Sequence, residues 1–394
     1  MQVEIQPSLD AVAPAEWDAL AGDDHPFLEH SFLALLERSK SVCASAGWAP
    51  AHILVRDGSR LIGAAPTYVR GDSYGEYIFD WAWADAAARA GLSYYPKITV
   101  AIPFTPATGP RLLVHPEADR DETRRALIAG LQALRDEVNA SGVHVLFCQD
   151  EEADFLNKNG FSRRATHQFH WRNDSYSGFD SGERSFLSML RSSARKQIRK
   201  ERKRSCAQGL SFETRRGNEL GDEEWNALFR LYRSTSDRKW GSPYLTEAFF
   251  SAAGTTLGER AVAVLVKRGQ EIVAGTLSFA KGKHLYGRYW GAFEELDCVH
   301  FEACYYQLLD LAIAEGYTLV EAGAQGPHKI KRGFLPVQTH SAHALHHPGL
   351  QHAIDNANQA EMAELRLQLE QIQHEGPFRA DCIPPQAKIA GISL

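Results

Sequence analysis

The sequence lacks any long uninterrupted run of apolar residues. A membrane-spanning helix needs about 18 or more such residues, and no stretch of the 394-residue chain approaches that length. The first ten residues, MQVEIQPSLD, are polar and acidic and do not have the pattern of a secretory leader. We therefore expect a cytoplasmic protein without a membrane span.

Cysteine is also scarce. The six cysteines are scattered, without the short paired spacings of a zinc site or a disulfide framework. They are Cys43, Cys148, Cys206, Cys298, Cys304 and Cys382. We expect reduced, mostly buried thiols and no bound metal. The histidine-rich segment 339–352 does not change this, because His340 and His343 lie three apart on a predicted strand and face opposite sides.

No charge of one sign dominates the chain. The formal net charge is −6, which excludes a global basic field that would draw the whole protein onto nucleic acid or a membrane. One segment differs: residues 191–204, RSSARKQIRKERKR, contain eight basic residues and one acidic residue. Apolar residues at helical spacing beside it predict an amphipathic helix over 184–206.

This basic helix is a candidate site for phosphate groups. Four arginines are expected to share one of its faces, namely Arg191, Arg195, Arg199 and Arg202. Of these, Arg195 and Arg199 are predicted substrate-binding residues that contact a tRNA backbone or the diphosphate of a nucleotide sugar. A solvated helix face is the equal alternative.

What the chain does have is the composition of a folded protein. Hydrophobic residues make up 44% of it and charged residues 23%, which is typical of globular domains. Because domains usually contain about 100–200 residues, the length predicts two domains with some additional structure.

An internal repeat divides the chain. Residues 54–68 read LVRDGSRLIGAAPTY and residues 265–279 read LVKRGQEIVAGTLSF, matching class for class without a gap. Each has the pattern of a β-hairpin with a glycine-containing turn. Further along, Lys-Asn-Gly-Phe at 158–161 parallels Lys-Arg-Gly-Phe at 331–334, with an amphipathic helix and an apolar strand before each. Duplication of one folding unit explains both matches.

The order of predicted elements indicates the fold class. Each half interleaves helices with strands, which predicts an α/β (α+β) fold with a mixed sheet flanked by helices. We place an N-terminal domain at 1–172 and a C-terminal domain at 173–348, with the basic helix 184–206 near its start. A C-terminal helix and tail follow at 349–394.

This order resembles the GNAT acyltransferase domain, and two such domains in tandem resemble the FemAB group. Several stretches are similar to a bacterial FemAB-like family of predicted N-acyltransferases. They are SYGEYIFDWAWADA at 73–86, YYPKITVAIPFTPATGPRL at 94–112, RKWGSPYLT at 238–246, LYGRYWG at 285–291 and GAQGPHKIKRGF at 323–334. The resemblance covers roughly residues 5–380. It implies two tandem GNAT-like domains that transfer an aminoacyl group from aminoacyl-tRNA to an amine of a peptidoglycan precursor.

The residues leave the acyl donor open. GNAT enzymes that use acetyl-CoA hold its pyrophosphate on a glycine-rich loop at a helix N-terminus. The corresponding junction here, residues 288–306, reads RYWGAFEELDCVHFEACYY and lacks that loop. We expect no tightly bound cofactor, and a donor that is either aminoacyl-tRNA or acyl-CoA.

Candidate catalytic residues follow the predicted strand at 317–323. Glu321 lies at its C-terminal end, where open α/β sheets bind ligands. Amide formation needs a neutral amine and charge stabilisation of the tetrahedral oxyanion. We assign Lys329 to the oxyanion or an acceptor phosphate, and His328 or Glu321 to removal of the amine proton. Gln325 is a candidate substrate contact, and a helix-capping loop with incidental polar residues is the alternative.

Further substrate contacts are expected just before this loop. Arg288 and Trp290 lie on a predicted strand, and Glu302 and Tyr305 lie on the helix that follows it. Arg288 is expected to assist Lys329 at the oxyanion. Packing alone is the alternative for the tyrosine, whereas a carboxylate beside a sheet needs a partner.

In the first half, aromatic residues accompany three carboxylates, Glu76, Asp80 and Asp85. They are expected either to line an acceptor groove or to form a packed intramolecular interface, and the sequence does not divide these two.

The function favoured by these patterns is N-acyl or aminoacyl transfer to a small-molecule or peptide amine, with the centre in the second half. Within enzymes, the alternative is an acyl-CoA-dependent GNAT N-acetyltransferase. If the protein is not an enzyme, the alternative is a non-catalytic module that binds RNA or a cell-wall precursor. The sequence does not fix the oligomeric state.

Overall fold

The strands and helices of the two halves follow one another in corresponding order. In the first half the strands are β1 (Gln2–Gln6), β2 (Trp48–Pro50), β3 (His52–Asp57), β4 (Arg60–Ala65), β5 (Thr67–Arg70), β6 (Lys97–Val100), β7 (Leu113–Val114), β8 (Gly142–Cys148) and β9 (Ser162–Arg172). The helices are α1 (Pro14–Ala21), α2 (His30–Arg38), α3 (Trp81–Arg89), α4 (Arg120–Glu137) and α5 (Asp150–Lys158).

The second half repeats this plan. Its strands are β10 (Ser211–Arg216), β11 (Ala261–Arg268), β12 (Glu271–Lys281), β13 (His284–Ala292), β14 (Leu319–Glu321) and β15 (Leu335–Leu345). Its helices are α6 (Ser192–Cys206), α7 (Asp222–Arg238), α8 (Glu247–Leu257), α9 (Val299–Phe301), α10 (Gln307–Glu315) and α11 (Pro348–Glu375). A π-helical turn, Glu302–Tyr306, joins α9 to α10, and a 3-10 helix, Pro327–Arg332, follows β14.

The computed structural model describes residues 1–238, 243–323 and 326–382. The chain divides into two compact units: the first contains Met1–Thr166 and Thr339–Arg366, and the second contains His167–Gln338 and the residues from Leu367 onward. In the described part of the chain, no helix combines the length and the apolar character needed to cross a membrane.

Both predicted hairpins form. β3 pairs with β4 and β11 pairs with β12, in each case antiparallel. Two-residue loops join the strands, and each loop begins with a glycine at positive φ, +58° at Gly58 and +61° at Gly269. Glycine adopts this backbone conformation without steric cost, which is why it recurs at the same place in the two loops.

Each unit is completed by the last strand of the other half of the sequence. In the second unit the strand order is β10-β11-β12-β13-β14-β9, and in the first β15 pairs with β8 in the order β2-β5-β6-β8-β15. A second sheet of the first unit has the order β1-β3-β4-β7. The sequence instead predicts consecutive domains, because a local pattern does not show which distant strand completes a sheet.

Parallel strand pairs with a helical crossover lie at the centre of both units. β6 and β8 pair in parallel across α4, and β13 and β14 pair in parallel across the helix that contains the π turn. Leu127, Leu131 and Leu134 of α4 pack into the first core with Val143 and Val145 of β8. Burying each of these leucines contributes about 1.5–3 kcal/mol, so the amphipathic stripe holds the helix on the sheet.

The basic helix is shorter than the sequence predicts. α6 begins at Ser192, not at residue 184. Leu190 forms an isolated antiparallel bridge with Phe378, and the amide of Arg191 donates to the carbonyl of Pro377 at 2.8 Å. The residues before Leu190 form a separate 3-10 helix, Phe186–Met189. Because the C-terminal segment holds Leu190 and Arg191 extended, this turn does not continue into α6.

The carboxylates expected to line a groove in the first half lie inside the first unit. Glu76 and Asp80 are 3% and 0% exposed, and both accept from Nζ of Lys97, at 2.7 and 2.5 Å. Arg70 also donates to Glu76, at 3.1 Å. The third carboxylate, Asp85, is exposed on α3. The packed alternative therefore describes Glu76 and Asp80.

The cysteines are free, but the expectation that most are buried is wrong. Only Cys148 is buried, and Cys206 is exposed. Within residues 1–238, 243–323 and 326–382, no group of three or more His, Cys, Asp or Glu side chains is arranged to hold a metal ion.

Buried histidine makes the stability of the first unit pH-dependent. Burial, together with the nearby Lys97, lowers the pKa of His144 to about 3, whereas an unfolded histidine titrates near 6.5. Between these values the unfolded chain binds more protons, so the free energy of unfolding falls by about 1.4 kcal/mol per pH unit as the pH drops.

Urea unfolding at pH 7 and pH 5 should show this loss. His144→Gln should reduce the slope and the exposed His346→Gln should not; equal slopes in all three proteins would contradict the prediction.

Candidate functional site

A gap opens between two parallel strands of the second unit. β13 and β14 pair only where His284–Tyr286 face Leu319–Glu321. β14 ends at Glu321, whereas β13 continues to Ala292. Beyond Tyr286, the edge of β13 that faced β14 is therefore no longer paired with it. Ligands of open α/β sheets bind at such strand ends.

β13 has a bulge beside this gap. Leu277 of β12 pairs with Tyr289. The next residue, Ser278, pairs with Gly287, which leaves Arg288 as the extra residue of the bulge. Bulges redirect side chains and are common next to active sites. The predicted substrate contact Arg288 is therefore placed at an irregular point of the strand.

The π turn in the following helix contains the predicted contact Tyr305. This side chain is 4% exposed, and its hydroxyl lies 2.9 Å from Nε2 of His328. Burial raises the pKa of Tyr305, so its hydroxyl stays protonated. Because single π turns are often found at functional sites, the irregular helix and the predicted catalytic loop meet where such a site is expected.

The loop after β14 brings His328 to the surface of the unit. His328 is exposed, and its pKa is lowered by partial burial and by the nearby cations Arg332 and Lys329. Gly326 precedes it with a φ of +110°, and a Cβ at this glycine would collide with the His328 ring. The imidazole is therefore neutral at neutral pH and held close to the backbone.

An open cavity of about 850 Å³ lies beside this histidine. Its lining comes from the N-terminal half of α6, the 3-10 helix after β14 and the segment after α11, and includes Arg191, Ser193, Ala194, Gln197, Glu201, Phe301, Pro327, His328, Ile330, Lys331, Arg332, Gly376 and Pro377. The cavity thus unites two features that the sequence shows separately, the basic helix and the loop with His328.

The electrostatic character of this cavity favours anions. It lies at the N-terminus of a 15-residue helix, where the helix dipole and the backbone amides attract negative charge. Arg191 and Lys331 are exposed and line it. The lining acid Glu201 is paired with Arg332 at 2.6 Å. These charges suit a phosphate or carboxylate group of a ligand.

The other two predicted catalytic residues do not line this cavity. Lys329 is 3% exposed, and its Nζ donates to the carbonyl of Gly323 at 2.9 Å. Burial, with a contribution from Arg288, lowers the pKa of Lys329 to about 8. Lys329 is therefore near enough to Arg288 to interact with it electrostatically, and it lies on the interior side of the loop.

Glu321 lies at the end of β14, as predicted, and is 4% exposed. Its Oε1 lies 3.7 Å from Nε2 of His170 on β9. Burial lowers the pKa of His170 to about 3, so this ring is neutral and the contact is not an ion pair. Glu321 is therefore buried and lies outside the cavity lining that contains His328.

Two of the remaining predicted contacts, Glu302 and Trp290, do not line the cavity. Glu302 is 1% exposed and is bound by Arg202 at 2.9 Å, which gives the carboxylate an internal partner instead of a ligand. Trp290 is partly buried, with its ring 5.3 Å from that of His300. Gln325 lies outside the described residues.

The two arginines predicted to bind phosphate on α6 do not line the cavity either. Arg199 is paired with Asp180, with Nε 2.9 Å from Oδ2, and Arg195 is partly buried. Arg191 and Lys331 take this position instead. The predicted charge is present, but the acids of neighbouring segments, which a helical wheel does not show, neutralise part of it.

Comparison with known proteins shows which family the chain resembles. The model of a FemAB-like family, described as peptidoglycan biosynthesis or recognition, matches residues 8–380. No curated protein matches this chain.

Solved structures share the fold at low sequence identity. FemX has a TM-score of 0.53 at 11% identity, covering 90% of this chain and 100% of its own. L-PGS from Bacillus licheniformis has a TM-score of 0.51 at 12% identity, covering 82% and 94%. The C-terminal domain of a putative lysylphosphatidylglycerol synthetase from Agrobacterium fabrum has a TM-score of 0.52 at 8% identity, covering 87% and 95%.

These likenesses concern the fold, and the expected class of two GNAT-like α/β units with mixed sheets is confirmed. Because the family match extends over nearly the whole chain, the protein belongs to the FemAB-like family.

Proposed function

We propose that the protein is an N-acyltransferase that moves an acyl or aminoacyl group onto an amine of a peptidoglycan precursor, with its chemistry in the cavity of the second unit. The observation that carries this proposal is that a neutral histidine and the cationic N-terminal end of α6 line one cavity, and that a buried tyrosine contacts this histidine from behind. The family's description supports the class of acceptor.

His328 supplies the proton acceptor in this proposal. The acceptor nitrogen attacks the donor carbonyl carbon and a C–N bond forms. The nitrogen then loses a proton to His328, the C–O or C–S bond to the donor breaks, and the leaving oxygen or sulfur takes up a proton from the protonated His328 or from water. Tyr305 is in contact with Nε2 of His328, and Nδ1 is the atom that takes the proton. The lowered pKa of His328 keeps the ring neutral and able to do so.

Arg191 and Lys331 supply positive charge. A precursor linked to a nucleotide or lipid contains a diphosphate, and amide formation passes through an oxyanion. Arg191 and Lys331 line the cavity from two different segments, so together they can hold one anionic group at the end of α6.

The donor favoured by the geometry is aminoacyl-tRNA. The helix after β13 begins at Val299, and the segment before it contains the exposed acid Glu295, whereas Asp297 is paired with Arg204. Negative charge at that position disfavours the pyrophosphate of coenzyme A, which other GNAT domains hold on backbone amides.

The experiment is a transfer assay with the two donors in parallel. Radiolabelled aminoacyl-tRNA and acetyl-CoA are each incubated with the protein and a UDP-linked muramyl pentapeptide, and label on the peptide is counted. Label from the aminoacyl-tRNA supports the proposal. Label from acetyl-CoA alone supports the N-acetyltransferase, and binding of the pentapeptide without transfer from either donor supports a recognition module.

Anion binding should depend on Arg191 and not on Arg199. A hydrogen bond from a charged donor contributes about 1.5–3 kcal/mol, so Arg191→Ala should weaken binding of inorganic pyrophosphate by about tenfold or more. Arg199→Ala is the matched control, because this exposed arginine is paired with Asp180. Isothermal titration calorimetry measures both, and equal effects would contradict the placement of the anion site.

A further inference from the structure

Arg332 is a buried arginine that holds three segments of the second unit together. It is 5% exposed and lies at the end of the 3-10 helix after β14. Its Nη2 donates to Oε1 of Glu201 on α6 at 2.6 Å, and its Nε donates to Oε2 of the same residue at 3.1 Å. This two-point pairing fixes the guanidinium plane relative to α6.

The same guanidinium contacts the π turn. Nε lies 3.1 Å from the hydroxyl of Tyr306, which itself donates to Glu201. The guanidinium carbon lies 3.4 Å from the centre of the Phe301 ring, a close cation–π contact. Glu201 and Tyr306 are 2% and 0% exposed, so these bonds are shielded from water and are strong.

The remaining nitrogen of Arg332 reaches the catalytic loop. Nη1 donates to the main-chain carbonyl of His328 at 2.7 Å. His328 therefore has two supports, one on its side chain from Tyr305 and one on its backbone from Arg332. Tyr305 belongs to the π turn, and Arg332 is bound to the next residue of the same turn, Tyr306.

We propose that Arg332 is a positioning residue for His328, which it holds against α6 and the π turn so that the imidazole faces the cavity. The inference rests on the proposed function of His328. Arg332 does not touch the reacting atoms in this account and acts through the backbone of His328. Its substitution should therefore lower kcat more than it raises KM, because a displacement of about 1 Å in catalytic geometry can cost about 100-fold in rate.

Charge provides a second readout that does not depend on transfer. The groups around His328 are the cations Arg332 and Lys329, the acid Glu201, the hydroxyl of Tyr305 and the ring of His300. The positive charge of Arg332 is one of the causes that lower the pKa of His328. Removing its charge should raise that pKa, and keeping the charge should not.

The test compares Arg332→Lys with Arg332→Gln. Arg332→Lys keeps the charge next to Glu201 but cannot reproduce the planar set of bonds. We expect kcat to fall at least tenfold with KM within threefold, and the pKa of His328 to stay within about 0.3 of the wild-type value, which is roughly the resolution of such titrations. In Arg332→Gln we expect the same loss of kcat and a raised pKa of His328. Titration of ¹³C-labelled histidine followed by NMR measures the pKa, with the signal assigned by its absence in His328→Gln.

Arg204→Lys is the matched control. Arg204 lies on α6, is half-exposed and pairs with Asp297 outside the cavity, so its replacement should change neither readout. Unchanged kcat in folded Arg332→Lys would overturn the inference, as would an unshifted pKa of His328 in folded Arg332→Gln. If Arg332→Gln does not fold, Arg332→Lys decides. If the wild-type protein transfers no acyl group, the proposed function fails, and the NMR titration still decides whether Arg332 controls His328.

Discussion

Replacing His328 with glutamine should lower the rate of acyl transfer by about 10²–10⁴-fold, the usual contribution of a general base. The physical reason is that the amine nitrogen cannot lose its proton in the transition state without an acceptor within reach. Glutamine retains polarity and approximate size but does not bind a proton. The single-turnover rate at saturating substrate measures the effect, because it separates chemistry from binding.

The pH dependence of the same reaction should show that the pKa of His328 is lowered. The pKa of His328 is lowered, so the neutral ring persists below the ordinary pKa of about 6.5. The rate of the wild-type protein should therefore begin to fall only at pH values below 6.5, and His328→Gln should lack this acid limb. His352→Gln, an exposed histidine on α11, is the control and should keep both the rate and the limb. A His328→Gln protein with at least half of the wild-type rate would exclude His328 as the base.

Replacing Lys97 with methionine should destabilise the first unit by about 3–5 kcal/mol, because it removes the cation from buried Asp80, and Glu76 keeps its bond to Arg70. Lys97 is 0% exposed and its ammonium bridges Glu76 and Asp80. Its charge also holds the pKa of Asp80 well below the ordinary range, against the opposing effect of burial. Methionine fills a similar volume, so the loss reports charge and hydrogen bonding more than packing.

Arg60→Met is the matched control for this change. Arg60 pairs with Glu117 at 2.5 Å, but the two side chains are 52% and 71% exposed. Exposed ion pairs contribute about 0–1 kcal/mol because water and salt screen them. Urea unfolding followed by circular dichroism compares the two variants. A loss of less than 1 kcal/mol in Lys97→Met would show that the buried cluster is not held by its ion pairs.

Local patterns in the sequence predict the elements of the fold. The hairpins formed by β3 with β4 and by β11 with β12 follow from apolar runs around a glycine turn, and glycine is required where φ is positive. Glu321 lies at the end of β14 because the apolar run of that strand stops there. Such features depend on neighbours in sequence, which is why they are readable without the structure.

Pairings between distant residues are not readable in this way. The exchange of β9 and β15 between the units depends on strand edges far apart in sequence. The start of α6 is set by residues 377 and 378, and the site is organised by the pair Glu201–Arg332, whose members are 131 positions apart. The local signal that singles out Glu201 is that it is the one acidic residue among the eight basic residues of segment 191–204.

Charge patterns alone also misplace binding residues. Arg199 and Glu302 have the residue types expected at a phosphate or amine site, but Asp180 and Arg202 neutralise them. In the sequence, Lys331 is part of the repeated Lys-x-Gly-Phe motif and indicates only duplication. In the structure, it lines the cavity. Which charges line a cavity is decided by tertiary contacts between residues that are distant in sequence.

The central claim is that the cavity beside His328 makes an amide bond. Mass spectrometry of the acceptor after one turnover tests it most directly, with a UDP-linked muramyl pentapeptide as acceptor and aminoacyl-tRNA as donor. The account predicts a mass increase of one aminoacyl residue on an amine of the peptide, present with the wild-type protein and strongly reduced with His328→Gln. An acceptor of unchanged mass with both aminoacyl-tRNA and acyl-CoA, or equal product from the two proteins, would contradict it.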